Sequence, residues 1–248
     1  MEFIFTREMK ADLLEVEDLF KRSLLSWWDE IYIYVQKMDG DLSFQLLTAM
    51  VINAYRCLGL ERELSIQMAN LFKTINFASK IHVLVKDDDE GQEHNQELQF
   101  TVLIGDYIFG KVMSLLLDTR ADKLLDRFAA MICEINEGLI VEYKLNKGLQ
   151  EVLARTKAPL YNHAFNSAAE LAGLAPEVTG IYTELGYNLG MALELLYVHG
   201  QKEDVGAYLI KAEQLLQSLR HHIPGMEPGL EKLVQEMYKE LGGSTDGL

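Results

Sequence analysis

The chain has 248 residues, 49% of them hydrophobic and 25% charged, enough to bury a sizeable core as one large helical domain or two small ones. Its 38 acidic residues outnumber 23 basic ones, for a formal charge of -15, which repels phosphate backbones and anionic lipid and leaves no basic stripe for nucleic acid. Two cysteines, Cys57 and Cys133, lie inside apolar helical patterns, so neither a disulfide framework nor a four-ligand zinc site has material, and a reducing cytoplasm is expected.

The first twenty residues carry acids where a signal peptide would carry a basic leader, and no run approaches about 20 uninterrupted apolar residues, so no membrane span is expected. All four prolines lie at or after Pro159, and the segments before it are rich in Leu, Ala, Met, Glu, Lys and Gln. The patterning predicts helices over 10–36, 43–58, 61–85, 98–117, 121–145, 149–171, 177–198, 205–221 and 227–241. Turn chemistry separates them: Met38-Asp39-Gly40-Asp41, the polar run 87–96, Gly173 before Pro176, His199-Gly200, and Pro224 to Pro228. The expectation is one all-α domain over 1–241 with a frayed tail over 242–248.

The sharpest chemical feature is the run Asp87-Asp88-Asp89-Glu90 after the apolar segment Ile81 to Val85. Clustered carboxylates repel one another unless a cation screens them, so Asp87, Asp88 and Glu90 are candidate magnesium ligands. The bland alternative is a solvated helix end.

Five segments in order carry a resemblance. The stretch IHVLVKDDDE resembles the first aspartate-rich region of trans-isoprenyl diphosphate synthases, Ile-His-Asp-Asp followed by two residues and a third Asp. Gly105-Asp106 opening an apolar helix is similar to the family's Ala-Gly-Asp-Phe helix, and Asn136-Glu137-Gly138 to its Glu-Gly turn of helix. The segment Arg155-Thr156-Lys157-Ala158 is similar to the family's Lys-Thr-Ala, and ELGYNLGMALELLYVHG to the Tyr-Gly-x-Asn-Leu-Gly-x-Ala-Phe-Gln helix that runs into a second aspartate-rich motif.

The resemblance implies an isoprenoid synthase-like multi-helix bundle, with the helices that start near Glu61, Leu98, Leu149 and Glu177 around a central apolar cavity. It places Val83 and Leu84 at the first two aspartate positions and Asp87 at the third. Tyr197 and Val198 stand where the second motif begins, and Gly40-Asp41-Leu42-Ser43-Phe44 where a basic segment grips isopentenyl diphosphate. Aliphatic side chains cannot hold the magnesium ions that clamp an allylic diphosphate, so Mg2+ is expected only if the chain is active. Arg155 and Lys157 fall near the diphosphate-binding lysine, and Ala78 falls where side-chain bulk sets product length. His82 and His163 read as hydrogen-bonded structural residues.

The implied function is a non-catalytic subunit of a heteromeric polyprenyl diphosphate synthase, homo- or heterodimeric through the helix over 98–117, with Phe109, Met113 and Leu116 at the interface. The aromatics Trp27, Trp28, Tyr32 and Tyr34 are candidates to extend that face. The alternatives are a divergent magnesium-dependent prenyltransferase using Asp87 to Glu90, and an isoprenoid-binding pseudoenzyme.

Overall fold

The computed structural model describes residues 4–38, 40–84, 96–145 and 147–242, which form helices with no β-strand among them. In chain order the α-helices are α1 (Ile4–Arg7), α2 (Lys10–Ser23), α3 (Trp28–Lys37), α4 (Leu42–Cys57), α5 (Arg62–Val83) and α6 (Gln96–Asp118). There follow α7 (Leu125–Leu145), α8 (Leu149–Thr156), α9 (Ala158–Leu171), α10 (Pro176–Leu193), α11 (Val205–His222) and α12 (Gly229–Glu240).

Two predicted helices are broken, each for a local reason. The segment over 10–36 splits into α2, a 3-10 turn at Leu25–Trp27, and α3. The Ser23 hydroxyl donates to the Leu19 carbonyl at 2.8 Å, and the turn re-aims the chain so that Phe20, Leu24, Ile31 and Tyr34 all reach one buried cluster. The segment over 149–171 breaks at Lys157, because Pro159 has no N–H to donate and its ring disfavours helical backbone just before it. A third departure is at the end of α10, where Glu194–Val198 forms a π-helical turn.

Helix α4 is buried along nearly its whole length and α5 along most of it, so they lie inside the bundle with helices on several sides. Helix α2 is tied across them by Asp12, which is 4% exposed and accepts from Arg56 at 2.9 Å and Arg62 at 2.6 Å. The main apolar core runs from Met9 to Met237, and a second cluster gathers Phe20, Leu24, Ile31, Tyr34, Phe44, Phe77, Ala78, Ile81, Ile104 and Ile108 under α3.

Close helix contacts are set at several glycines. A Cβ on Gly186 would sit 2.6 Å from the Phe165 ring, and one on Gly190 would sit 2.4 Å from the Tyr161 ring, so α10 lies directly on the rings of α9. Likewise a Cβ on Gly105 would meet the His82 ring at 2.6 Å, and one on Gly138 the Arg155 carbonyl oxygen at 2.4 Å.

An apolar-floored cavity of about 300 Å³ opens between α2, α3, α4 and α5, over Phe20, Phe44 and Phe77. It lies to one side of the helices that the sequence reading arranged around a central cavity. The space where α4, α5, α9 and α10 converge carries polar side chains instead.

Helix α10 offers an internal control for the packing argument. Replacing Gly190 by Ala forces a methyl into the Tyr161 ring and should lower unfolding stability by about 1–3 kcal/mol. Gly180→Ala on the same helix meets nothing within 4 Å and should be neutral or stabilising by up to about 1 kcal/mol. Urea unfolding of both variants checks the contrast, and equal effects would show that Gly190 is not a contact residue.

Candidate functional site

The polar convergence begins at the start of α4. Asp41 caps that helix, its carboxylate accepting from the Ser43 backbone N–H at 2.9 Å, and it also pairs with Lys80 of α5. The Lys80 ammonium lies 4.6 Å from the centre of the Phe44 ring. Two residues after Asp41, the Ser43 hydroxyl donates to Glu194 Oε1 at 2.9 Å, and the Tyr161 hydroxyl donates to the same oxygen at 2.7 Å.

Glu194 is 1% exposed, and its Oε2 is buried without a protein hydrogen-bond partner. Burial first, and then the Glu194 carboxylate, hold the Tyr161 hydroxyl well above its ordinary range, so it stays a donor.

Lys157 enters this cluster from the break between α8 and α9, donating to Asn76 Oδ1 at 3.2 Å. The residue as a whole is partly exposed, while its ammonium is densely surrounded by protein. That desolvation, reinforced by the nearby Lys80 and opposed by Glu194 and Asp41, pushes its pKa down to about 8. Asn76 is fully buried, and its Nδ2 has no protein partner. The cluster therefore holds Lys80 and Lys157 against Asp41 and Glu194.

The residues singled out in the sequence separate cleanly. Arg155, weighed equally with Lys157, lies on the exposed side of α8, 3.6 Å from Glu151. Ala78 is fully buried beside Phe77 in the second cluster. Val83 and Leu84, at the first two aspartate positions of the resemblance, are 55% and 40% exposed at the end of α5. Tyr197 and Val198, at the second motif, are half-buried in the π-helical turn. Asp87, Asp88 and Glu90 lie outside the described residues.

No group of three or more His, Cys, Asp or Glu able to hold a metal ion occurs among the described residues. Side chains such as Val83, Leu84, Tyr197 and Val198 offer no carboxylate to a magnesium ion and do not fit a magnesium site. His82 stacks on Phe109 at 5.4 Å with Nε2 3.7 Å from Asp106, and His163 Nε2 lies 3.2 Å from Glu134. Both sit at helix contacts.

Sequence reasoning missed Glu194. Its signal was a lone carboxylate in the apolar run Met191 to Leu196, which a helix tolerates only when something receives the charge.

Of the residues expected at an interface, Leu116 is the one the fold removes from the surface. Leu116 is 0% exposed and belongs to the main core, and Phe109 and Met113 are half-buried against it. Helix α6 turns Ile104, Ile108, Val112 and Leu116 inward, so its outward apolar residues are Phe100, Leu103 and Leu117, at 36%, 64% and 57% exposed. By length and composition Gln99–Asp118 is apolar enough to cross a membrane, with only a third of it buried. The inward row shows that one side of this helix is committed to the protein core.

The bundle is that of the isoprenyl diphosphate synthases. It superposes on a decaprenyl diphosphate synthase from Rhodobacter capsulatus with a TM-score of 0.69 at 14% identity, covering 96% of this chain and 98% of that one. On the geranyl diphosphate synthase small subunit from Antirrhinum majus the TM-score is 0.69 at 16% identity, covering 94% and 97%. Among curated proteins the chain is 26% identical over 195 residues to a decaprenyl-diphosphate synthase from Dictyostelium discoideum. That match takes in 71% of this chain and 42% of the relative, so the chain spans less than half of the relative's length. No family model matches. The chain has the fold of the trans-isoprenyl diphosphate synthases and is similar in sequence to one of them.

The depressed lysine gives a pH test. Its proton leaves the folded state first, so between about 8 and 10.5 the unfolded chain holds more protons and folding stability rises with pH. Relative to Lys157→Met, the wild-type protein should gain up to about 1 kcal/mol per pH unit across that window, with a constant difference below it. Urea midpoints of the two proteins from about pH 7 to about 10 read this directly, the tyrosines common to both cancelling in the difference. A pH-independent difference would place the ammonium in solvent.

Proposed function

We propose that the chain is the non-catalytic subunit of a heteromeric polyprenyl diphosphate synthase in isoprenoid biosynthesis, acting in the cytoplasm as one helical domain beside a partner with intact aspartate motifs. The observation that carries this reading is the outward row of α6, where Phe100, Leu103 and Leu117 stand exposed on a helix whose other side is core. Exposed apolar residues repeated along one helix face call for a covering partner. The likeness to a geranyl diphosphate synthase small subunit supports a partnered role.

The polar cluster supports the absence of turnover. A diphosphate entering near Lys157 would meet Asp41 and Glu194, and the cluster's two lysines already face those two carboxylates. An overall charge of -15 adds to the barrier.

One observation favours a second reading, the isoprenoid-binding pseudoenzyme. The 300 Å³ cavity over Phe20, Phe44 and Phe77 adjoins the helix that carries Ala78 and offers an apolar floor for a short prenyl chain.

Size-exclusion chromatography with light scattering decides between them. The wild-type chain should run as a dimer, alone or with a polyprenyl diphosphate synthase that has both aspartate motifs. Changing Leu103 and Leu117 together to Asp should leave helical content intact and weaken assembly, because two charges would be desolvated in an apolar contact without counter-ions. A chain monomeric in both settings would overturn the subunit reading in favour of the pseudoenzyme. Given magnesium, isopentenyl diphosphate and an allylic diphosphate, the isolated chain should form no elongated product. Turnover abolished by Asp87→Ala would establish the divergent synthase instead.

A further inference from the structure

The cluster at the head of α4 contains hydrogen-bond donors that meet no protein acceptor. Ser43 Oγ and Tyr161 Oη both converge on Glu194 Oε1, at 2.9 and 2.7 Å. The Lys157 ammonium has three protons and makes one bond here, to Asn76 Oδ1 at 3.2 Å. Asn76 is 0% exposed and its Nδ2 donates to nothing in the protein. Lys80 closes the outer side, paired with Asp41.

Two hydroxyls, two ammonium groups and an amide N–H₂ in one place are the chemistry of an oxyanion pocket. The carboxylate of Glu194 takes the anion's part in it, held by two hydroxyl donors as a bound oxyanion would be. Its second oxygen is buried without a partner, a costly arrangement for a carboxylate that only fills space.

We propose that Glu194 is a built-in counter-anion that occupies and blocks a latent phosphate-type oxyanion site formed by Ser43, Asn76, Lys80, Lys157 and Tyr161. The inference rests on the reading above that this site no longer accepts a diphosphate, and it assigns one residue as the cause. The π-helical turn that starts at Glu194 contributes by fixing where the side chain leaves the end of α10. The side chains of Asp41 and Lys80, 28% and 19% exposed, mark where an anion would enter.

Replacing Glu194 by Gln keeps the shape, leaves an acceptor for Ser43 and Tyr161, and removes the negative charge. With Asp41 the remaining anion against Lys80 and Lys157, the site becomes net positive.

Inorganic pyrophosphate titrated into the full chain by calorimetry tests this. Glu194→Gln should bind it about a hundredfold more tightly than wild type, the scale set by removing a facing like charge. The gain should vanish in the double variant with Lys157→Met. Glu194→Ala should behave like the Gln variant, and it decides the matter if the Gln variant does not fold. Equal affinity of wild type and a folded Glu194 variant would overturn the proposal, and so would a gain that survives loss of Lys157. The readout is independent of partner binding: a failure here with the assembly of α6 intact sinks only the blocked-site inference, and a monomeric chain sinks only the subunit reading.

Discussion

The contact between α9 and α10 is the constraint on which the site depends. Gly186 and Gly190, one helical turn apart, let the backbone of α10 rest on the rings of Phe165 and Tyr161 with no intervening side chain. Because the Tyr161 ring is fixed from above, its hydroxyl is delivered to Glu194 at 2.7 Å, and the same helix supplies both Gly190 and the residue leading into Glu194 four positions later. Lys157 then arrives from the N-terminal end of α9, four residues before Tyr161 and so on the same side of the chain path. A larger residue at Gly190 would press on the Tyr161 ring and so disturb the approach of its hydroxyl to Glu194.

The same logic separates the matched segments into two kinds. Gly105, Gly138, Gly186 and Gly190 each stand where a Cβ would collide with a neighbouring helix, so they maintain the bundle whatever chemistry it performs. Val83, Leu84, Tyr197 and Val198 stand where the resemblance assigns metal-binding carboxylates, and no packing need opposes a carboxylate at the first two, which are largely exposed. Packing positions and chemical positions can thus part company within a single chain. A fold can be kept at 14% identity to a solved structure because the close helix contacts, rather than the ligands, define it.

Much of the helical layout was legible in the sequence, since leucine-rich, proline-free segments leave few alternatives to helix. The breaks were harder to read. Pro159 announces the interruption at Lys157, but the apolar periodicity continues across it, whereas the break before α3 is marked only by Ser23 and a change in which residues need burial. That difference has consequences for the site. Arg155 and Lys157 are two residues apart and look equivalent on paper, yet the break sends one outward to Glu151 and the other inward to Asn76. On α6 the apolar residues were visible as a set, while the division into the core row with Leu116 and the outward row with Leu103 and Leu117 depends on where α5 lies. Glu194 was legible in principle as a lone acid among aliphatics, but its partners Ser43 and Tyr161 are 151 and 33 residues away in sequence, and only the fold joins them.

The charge distribution completes the physical account. Most of the acidic excess lies at the surface, where water screens it, and contributes little to any single contact. Inside the cluster the balance differs: two lysines oppose two carboxylates, and low local polarity makes each charge matter more. The price of that arrangement is visible in the depressed Lys157 and in the unpartnered oxygen of Glu194, neither of which a bundle built only for stability would need. A buried pair of this kind can persist by specifying one arrangement over another, and on the proposal above the arrangement it specifies is Glu194, rather than an outside anion, against the two lysines. Under the blocked-site proposal Glu194 neutralises the lysines at the head of α4 from within, while Leu103 and Leu117 stand exposed on a different helix, so the two features can vary independently.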